Sequence, residues 1–547
     1  MQSKNQGRKK LDVDTATPSR HTSHQYLFTP LHTMPSDDIH IHTALISVYH
    51  KDETLERIIA ILADKGVRLL STGGTRAWIQ QCGHRCDAVE DVTGYPSILG
   101  GRVKTLHPGI FGGILSRRNN TQDSDECARY GIEPIDMVIV DLYPFAETVA
   151  QGASEADIIE KIDIGGISLI RAAAKNFHDV AIVSSRDQYA YILDVFAQHG
   201  VATTSDIRRR LAREAFAVTS RYDSLIFGYF DETCGDAPTA LRTAIDGVRT
   251  LRYGENPHQR GWFFGNFESM FEQLHGKEIS YNNLLDIDAA TALMAEFDDT
   301  AATFAVIKHN NPCGLACRDT AIEAWRAALA GDPISAFGGV IVTNSTVDAD
   351  TAAEINKIFF EVIIAPAYSD EALDILRLKK NRIILVQKRD NSTRTTMRSA
   401  LGGVLVQDRD NRTDSAEDLH TVTATIPTPA QADDMLFAAK VVKHCRSNAI
   451  VLAHARTLCA AGVGQTSRVD SLRQAIAKAK AFGMPLDGAV MASDAFFPFG
   501  DCVQIAHEAG ITAVIQPGGS IRDHESVEYC DAHGLAMSMT GIRHFRH

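Results

Sequence analysis

The chain has 547 residues, too many for one hydrophobic core, and at roughly 150 residues per domain two to four domains are expected. Its formal net charge of −13 argues against non-specific binding to nucleic acid, which needs a clustered excess of basic side chains. No run of about 18 apolar residues occurs, so the sequence predicts no membrane helix. Ten cysteines without zinc-site spacing indicate thiols in a reducing cytoplasm rather than a disulfide framework.

Residues 1–40 differ from the rest of the chain. They are rich in Ser, Thr, His, Asp and basic residues and show neither a helical nor a strand period, which predicts a disordered tail. They also lack the apolar segment of a secretory signal.

The first ordered elements alternate between strand and helix patterns. The run ALISV at 44–48 precedes the helical pattern LERIIAILADKG, and later strand-like runs are VRLLS, MVIV and VAIVSS. A long helical pattern covers 205–220. Continuous apolar strands alternating with helices predict a parallel α/β sheet. The pattern weakens around 231–250, where we place a domain boundary.

A second α/β region follows this boundary. Its apolar runs each end in polar residues, Gly or Pro: FAVIKHNNPCG, FGGVIVTN, FFEVIIAP, RIILVQ, NAIVLA, GAVMASDAFFPFGD and ITAVIQPGGS. Ligands of open α/β sheets gather at the carboxyl ends of strands, so we expect chemistry at the polar ends of these runs. In VIKHNNPCG, the pair Lys308-His309 stands at such an end.

Three motifs of the first region carry candidate ligand-binding groups. STGGT at 71–75 offers backbone amides for an anion, with a plain turn as the alternative. In GGRVKTLHPG, Arg102 and Lys104 are predicted to point to one side of an extended segment and bind phosphate or carboxylate, with a solvated basic loop as the alternative. In IDIGGISLIRAAAKN, Asp163 and Lys175 bracket an apolar helix, where they could equally be a cap and a dipole partner.

These motifs, taken in order, resemble a known family. SVYHK, STGGT, GGRVKTLHPG, DLYPF and IDIGGISLIRAAAKN are similar to the IMP cyclohydrolase half of the bifunctional purine-biosynthesis enzymes. LRYGENPHQ, SYNNLLDIDAA, VIKHNNPCG, GDPISAFGG, CRSNAIVLA, GVGQTSR, SDAFFPFGD and the terminal RHFRH resemble the AICAR transformylase half. The match spans roughly 43–547.

The resemblance implies a fold and a function. It implies an α/β chain with a methylglyoxal-synthase-like cyclohydrolase domain at 41–235, then a cytidine-deaminase-like α/β transformylase region of two subdomains at 250–547. The implied reactions are formyl transfer from 10-formyltetrahydrofolate to AICAR, giving FAICAR, and dehydrative closure of FAICAR to IMP. AICAR, FAICAR, IMP and reduced folate are the implied ligands, and a cytoplasmic homodimer without nucleic-acid or membrane partners is the implied assembly.

The resemblance also assigns residues by motif position. The implied catalytic residues of the cyclohydrolase are Lys104, Tyr143, Asp163 and Lys175. Its implied substrate-binding residues are Ser47, Lys51, Thr72, Gly73, Gly74, Thr75, Arg102 and Thr105. The implied catalytic residues of the transformylase are Lys308, His309, Asn448 and Asp494. Its implied AICAR-binding residues are Arg252, Tyr253, Glu361, Arg543 and Phe545, and Gly464, Gln465 and Arg468 are candidates for folate binding.

The sequence departs from the family pattern at three positions. Asp141 replaces the usual Asn before LYPF, and we expect its carboxylate to face away from a nucleotide phosphate, which it would repel. Tyr49 stands where a small serine is common, and Glu361 where some relatives have Asp. Pro312-Cys313 lacks the Cys-x-x-Cys partner of zinc deaminases, so we expect no catalytic metal and interpret Cys313 as a core thiol.

Two rival functions stay open at this stage. One is a nucleotide-binding or regulatory module without catalysis, against which Lys104, Tyr143, Asp163 and Lys175 argue, because a sensor needs only phosphate contacts. The other is an enzyme in which the transformylase half alone is active.

Overall fold

The computed structural model describes residues 38–235, 239–297, 301–388 and 393–547. Residues 1–37 of the predicted tail lie outside this part of the chain. The predicted end of the tail at residue 40 was wrong, because Ile39–His40 form a strand that pairs with Ala202 and Thr203. Contacts divide the chain into two units, Met1–Ala244 and Ile245–His547, and the division falls within the weakly patterned segment 231–250.

The first unit is built on a five-stranded sheet in the order β4-β3-β2-β5-β6, and every neighbouring pair is parallel. The predicted parallel α/β sheet is therefore confirmed in this unit. Its central strands are continuous apolar runs because helices cover both faces and leave no solvated side. The strands are β1 Ile39–His40, β2 Thr43–Val48, β3 Arg68–Ser71, β4 Asp87–Ala88, β5 Met137–Asp141, β6 Ala181–Val183 and β7 Ala202–Thr203.

Several helices of the first unit begin at a side chain that caps their first turn. In α1, the Asp52 side chain accepts a hydrogen bond from the Leu55 amide, which satisfies an orphan donor of the first turn. The helices are α1 Glu53–Asp64, α2 Gly73–Gln81, α3 Val89–Thr93, α4 Pro108–Leu115, α5 Thr121–Tyr130, α6 Phe145–Ala150, α7 Glu155–Ile159, α8 Gly165–Lys175, α9 Tyr189–His199 and α10 Ser205–Cys234.

The segment around Arg102 and Lys104 is not extended, and the prediction that it is extended was wrong. Residues Leu99–Gly101 form a single 3-10 turn, closed by an antiparallel bridge between Ile98 and Val103. Gly100 and Gly101 have φ of 65° and 92°, a left-handed conformation that glycine adopts without steric cost.

The second unit contains two six-stranded sheets of one topology. Their orders are β10-β15-β14-β13-β11-β12 and β18-β23-β22-β21-β19-β20. In each sheet the first, fourth and fifth neighbouring pairs are antiparallel and the second and third are parallel. This duplication is compatible with the predicted pair of subdomains. It escaped the sequence patterns because the two halves share strand order rather than a short repeat.

The two sheets share one hydrophobic core. Helices α11 and α15 contribute Ile287, Leu293, Met435 and Val441 to a single buried cluster with strands from both sheets. The strands are β8 Val248–Leu251, β9 Gly261–Phe264, β10 Phe271–His275, β11 Ala302–Lys308, β12 Asn311–Arg318, β13 Val340–Thr343, β14 Val362–Ala365, β15 Ile383–Gln387, β16 Thr395–Ala400, β17 Gly403–Asp408, β18 His420–Thr421, β19 Ile450–Ala453, β20 Leu458–Gly462, β21 Val490–Ser493, β22 Ala513–Gln516 and β23 Ala536–Met539. The helices are α11 Tyr281–Met294, α12 Ala321–Gly331, α13 Ala349–Ile355, α14 Asp370–Leu376, α15 Pro429–Lys443, α16 Arg468–Ala481, α17 Asp501–Glu508 and α18 Asp523–His533.

The chain stays in the sheet after strand β11, whereas the sequence suggested that it leaves the sheet there. The chain turns back after Lys308 in a two-residue hairpin, and Asn311–Arg318 returns as β12, antiparallel to β11. Pro312 and Gly314 concealed this strand, because Pro and Gly are depleted in strands.

Candidate active sites

The first cluster lies at the carboxyl edge of the parallel sheet in the first unit. Ser47 is near the end of β2, and Thr72 to Thr75 form the junction of β3 with α2. The Thr75 hydroxyl donates to the Val48 carbonyl at 3.0 Å, which joins the start of α2 to the end of β2. Gly73 and Gly74, both exposed, form the first turn of α2, and backbone amides in this position can bind an anion.

Lys104 and Thr105 lie beside two helix starts. A Cβ built on Gly73 or Gly101 would stand 3.7 or 3.0 Å from the Lys104 ammonium, so this group sits against the first turn of α2. A Cβ at Gly165 would stand 3.2 Å from Thr105 Oγ1, so the Thr105 hydroxyl lies next to the first turn of α8. The turn at Leu99–Gly101 thus places the Lys104 ammonium and the Thr105 hydroxyl at this edge of the sheet.

Asp163 and Tyr143 are neighbours in this cluster. The Asp163 carboxylate accepts the Gly166 amide at 2.6 Å, and the Asp163 amide donates to the Tyr222 hydroxyl at 2.8 Å. Burial raises the pKa of Asp163, although backbone hydrogen bonds from Gly166, Tyr143 and Ile167 oppose the rise. Burial and the Asp163 charge raise the pKa of Tyr143. A carboxyl group and a phenol with raised pKa values are suited to proton transfer.

Tyr49, the first departure from the family pattern, contacts this pair. Its ring meets that of Tyr143 edge-on at 5.6 Å, and the Lys161 ammonium lies 5.3 Å from the Tyr49 ring and 5.9 Å from the Tyr143 ring. Lys51 donates to the Tyr49 carbonyl at 3.2 Å. Sequence reasoning missed Lys161, although it stands two residues before Asp163.

Asp141, the second departure, is paired with His50. One carboxylate oxygen accepts the His50 amide at 2.8 Å and contacts the His50 Nδ1 at 2.7 Å. Both hydrogen bonds direct this oxygen toward His50. Arg102 pairs with Glu160, so in this structure its guanidinium faces a carboxylate.

Lys175 does not lie with the other predicted catalytic residues of this unit. It is exposed at the last residue of α8, whereas Asp163 precedes the first. An 11-residue helix separates its ends by about 15 Å at 1.5 Å per residue.

The second cluster begins at the hairpin after β11. Lys308 pairs with Asn311 across a turn formed by His309 and Asn310, whose φ angles are 52° and 61°. Positive φ at both central residues is typical of a type I′ turn. The Lys308 ammonium donates to the Phe337 carbonyl at 2.6 Å, and the Asn310 amide donates to Asp286 at 2.7 Å.

Asn311 connects this hairpin to the segment that carries Asn448. Its side chain donates to the His309 carbonyl at 2.9 Å and accepts the Arg446 amide at 2.9 Å. Gly464 and Gln465 run alongside, since the Gly464 amide donates to the Arg446 carbonyl at 2.7 Å. The structure therefore brings His309 into the neighbourhood of Asn448 and the GVGQTSR segment.

Arg468 links the predicted catalytic residues of the second subdomain. Its guanidinium donates to the Asn448 side chain at 2.9 Å and pairs with Asp494. Arg468 is 7% exposed and Asp494 1% exposed. This buried pair fixes the Asn448 side chain in one orientation, a role that the sequence prediction of folate binding did not include.

The C-terminal segment closes against these residues. The His544 amide donates to the Asp494 carbonyl at 3.1 Å. The Ser447 amide donates to the Arg546 carbonyl at 2.9 Å, and the Arg546 amide donates to the Ser447 hydroxyl at 3.0 Å. The His544 ring is held 2.7 Å from Asp410. Arg543 and Phe545 flank it and stack on one another at 4.5 Å, both exposed.

Arg252, Tyr253 and Glu361 line a cleft of about 700 Å³. Lys277, which also lines it, holds Glu361 in an ion pair at 2.5 Å. The segment 337–339 connects this cleft to the hairpin. The Glu361 amide donates to the Gly339 carbonyl and the Gly338 amide donates to the Phe359 carbonyl, while the Phe337 carbonyl accepts a hydrogen bond from the Lys308 ammonium. Sequence reasoning missed Lys277. Its only indication of a role in binding was its position three residues before the SYNN motif.

Cys313 is the extra residue of a β-bulge, since Val306 pairs with Gly314 and Ile307 with Pro312. Burial raises the pKa of its thiol to about 12, and the sulfur donates to the Val306 carbonyl at 3.4 Å. Within the described ranges, no three His, Cys, Asp or Glu side chains come together as metal ligands would. Across the same residues, no helix combines the length and the apolar character that crossing a bilayer requires.

The fold and the two clusters define a two-unit α/β enzyme with a separate candidate active site in each unit. A family model described as an MGS-like domain matches residues 54–168, and one described as the AICARFT/IMPCHase bienzyme matches residues 173–478. The chain belongs to the AICARFT/IMPCHase bienzyme family. It is a bifunctional enzyme of purine biosynthesis that combines an AICAR transformylase with an IMP cyclohydrolase, and the predicted methylglyoxal-synthase-like domain is confirmed.

The curated relatives cover the chain almost completely. The bifunctional purine biosynthesis protein PurH of Bacteroides thetaiotaomicron is 61% identical over 512 residues, which are 94% of this chain and 100% of the relative. PurH of Rhodospirillum rubrum is 47% identical over 533 residues, with 94% and 100% covered. PurH of Chlorobium phaeobacteroides is 44% identical over 521 residues, with 93% and 99% covered.

Proposed function

We propose that His309 and Lys308 perform formyl transfer in the second unit. The amine of AICAR is a poor nucleophile, because its lone pair is conjugated with the imidazole ring. A neutral imidazole at His309 accepts the amine proton as the carbon–nitrogen bond forms. The Lys308 ammonium stabilises the tetrahedral oxyanion or helps to protonate the departing folate nitrogen. The observation that carries this proposal is the Asn311 bridge, which joins the His309 turn to the Asn448 segment.

AICAR binding is assigned to the cleft that Arg252, Tyr253 and Glu361 line, with Arg543 and Phe545 from the C-terminal segment. Arg252 offers a bidentate donor for the nucleotide phosphate. The Glu361 carboxylate can accept hydrogen bonds from ribose hydroxyls when these replace the Lys277 ammonium as its partner. Asn448 and Asp494 support the reaction through the rigid Arg468 pair.

The formyl donor is 10-formyltetrahydrofolate in this proposal. Gly464 and Gln465 flank Asn448 and place polar backbone groups beside the reaction centre. An exposed aromatic pair, Phe337 and Phe359 at 5.2 Å, lies next to the Lys308 ammonium and offers a face for a flat ring.

In the first unit, Lys104, Tyr143 and Asp163 perform ring closure. The formyl oxygen of FAICAR gathers negative charge as the amide nitrogen attacks, and the Lys104 ammonium stabilises it. Asp163 and Tyr143 move the protons, from the attacking amide nitrogen and to the former formyl oxygen, which leaves as water; their raised pKa values are consistent with this role. Ser47, Thr72 to Thr75 and Thr105 hold the nucleotide, with Lys51 and Arg102 as further cations. Lys175 stays a prediction, because α8 holds it at the opposite end from Asp163.

The protein is proposed to be a cytoplasmic homodimer. The exposed hairpin β16–β17 supports the dimer, because Met397, Val404 and Val406 are each about half exposed on one of its faces. Apolar side chains clustered on a protruding element are typical of an association surface.

The test separates the two activities in the full-length chain. FAICAR is converted to IMP in the absence of folate, and formyl transfer to AICAR is followed separately, both spectrophotometrically. His309→Ala is expected to lower formyl transfer by roughly 100-fold or more and leave cyclisation near normal, as removal of a general base does. Lys104→Ala is expected to do the reverse.

Three outcomes contradict parts of this proposal. No IMP formation from FAICAR would leave the transformylase as the only active half. No reaction in either assay would favour a binding module. Formyl transfer within a few-fold of the parent chain in His309→Ala would remove the role assigned to that imidazole.

A further inference from the structure

The turn that carries His309 has a counterpart in the second subdomain. Strand β19 ends in a hairpin in which the amides of His454 and Thr457 each donate to the other residue's carbonyl at 3.1 Å. Its central residues, Ala455 and Arg456, both have φ of 50°. Both turns are therefore type I′, and neither contains glycine.

A helix aspartate meets each turn. The Asp286 carboxylate accepts the Asn310 amide at 2.7 Å. The Asp434 carboxylate accepts the amides of Ala455 at 2.7 Å and Arg456 at 2.6 Å. Non-glycine residues with positive φ need support from their surroundings, and these hydrogen bonds provide it.

The two aspartates occupy equivalent places in their helices. Asp286 is the sixth residue of α11, and Asp434 is the sixth residue of α15. Both helices begin with a capping box, formed by Ser280 with Asn283 and by Thr428 with Gln431. The spacing of cap, box residue and aspartate is therefore the same in both halves.

The turns differ in what they present. In the first subdomain, the leading central residue is His309, and its ring belongs to the proposed formyl-transfer centre. In the second, that position is Ala455, which has no acid–base group. The carbonyls of the second turn are also bonded to the first subdomain, because Arg318 donates to the Ala455 carbonyl at 2.9 Å and the Cys317 amide donates to the Arg456 carbonyl at 3.0 Å. The aspartate therefore supports a turn in both halves, but only in the first half does that turn carry an imidazole.

We propose that Asp286 is a positioning residue of formyl transfer, which holds the His309 turn and thereby places the His309 imidazole against the AICAR amine. This inference rests on the proposed role of His309. Burial raises the pKa of Asp286, while the amides of Asn310 and His309 and the Lys308 ammonium oppose that rise and favour the carboxylate that accepts the turn amide. Asp434 is the matched structural control, with the same contact and no reacting group beside it.

The experiment compares Asp286→Ala, Asp286→Asn, Asp434→Ala and His309→Ala in the full-length chain. Asp286→Ala is expected to lower the kcat of formyl transfer roughly 10- to 100-fold with little change in the KM for AICAR, since misplacing a catalytic group by about 1 Å costs up to this much. Asp286→Asn keeps an oxygen that accepts the Asn310 amide and is expected to recover most of that kcat. Asp434→Ala is expected to lower the thermal midpoint about as much as Asp286→Ala while kcat stays within about threefold.

Each other outcome has a definite meaning. Equal kcat values for Asp286→Ala and Asp434→Ala, or loss of kcat in both in proportion to lost stability, would overturn the positioning role. No recovery in Asp286→Asn would also count against it. High activity in His309→Ala would instead overturn the proposed function itself. If Asp286→Ala does not fold, the comparison of Asp286→Asn with an Asp434→Asn control decides, and a kcat for Asp286→Asn below one tenth of that control overturns the role.

Discussion

At the residue scale, departures from the family pattern occur as interacting sets. Asp141 and His50 share two hydrogen bonds, while Tyr49 contacts Tyr143 and lies under Lys161. The sequence identified Asp141 and Tyr49 as unusual but did not reveal their partners. His50, for example, is 91 residues from Asp141 along the chain. A carboxylate that would repel a phosphate is thus engaged by a neighbouring imidazole.

This pairing predicts the effect of removing His50. His50→Ala is expected to raise the KM for FAICAR about tenfold, because the Asp141 carboxylate then loses the imidazole contact, keeps only the backbone amide of residue 50 and repels the anionic nucleotide more strongly. The double variant His50→Ala/Asp141→Asn is expected to restore the parent KM. Steady-state cyclisation kinetics give the answer. A KM that stays high in the double variant would show that the charge of Asp141 is not the cause.

At the element scale, the C-terminal segment depends on a buried charge. Burial opposes protonation of His544, but hydrogen bonds and charges from Asp410 and Asp414 outweigh it and raise its pKa to about 9. His544 is 5% exposed, and its amide is bound to Asp494. The RHFRH motif was identified in the sequence, but its first histidine, His544, was assigned no role, because both acidic partners of this residue are more than 100 residues away.

The sign of this shift sets a pH dependence. A raised pKa in the folded state means that the protonated imidazole stabilises the protein fully below about pH 6.5, and this contribution is lost as the pH rises through about 9. By linkage, the contribution is on the order of 3 kcal/mol. His544→Gln is expected to lower stability at pH 6 and flatten its decline between pH 6.5 and 9. Denaturant unfolding across this range measures it, and an unchanged slope would contradict the assignment.

At the scale of the whole molecule, the second unit is a duplicated sheet with one shared core. Both halves contain the turn and the helix aspartate that supports it, Asp286 or Asp434, but only the first half has an imidazole, that of His309, in the turn. The extra residue of the bulge is also a cysteine in both halves, Cys313 and Cys459. Hydrophobic patterning predicted most of these strands, but strand order depends on pairings between distant segments and could not be derived from local patterns.

The hairpin β16–β17 gives a prediction about assembly. The parent chain is expected to sediment as a dimer, and Val406→Glu is expected to shift it toward monomer, because a charge on an apolar interface is desolvated without a partner. Leu378→Glu, at a position 70% exposed elsewhere in the same unit, is the control for added charge. Analytical ultracentrifugation distinguishes them. A monomeric parent chain, or a dimer that persists in Val406→Glu, would contradict this interface.

The family, both reactions and most of the apolar strands could be predicted from the sequence, because ordered motifs and hydrophobic periodicity are local properties of the chain. Three features became evident only in the folded chain: the return of β11 as β12, the contacts of Arg468 with Asn448 and Asp494, and the separation of Lys175 from Asp163. It also identified Asp286, 24 residues from Asn310 in the sequence and 2.7 Å from its amide in space. These features rest on contacts between distant segments, and the free energy of such contacts is set by burial and geometry that exist only after folding.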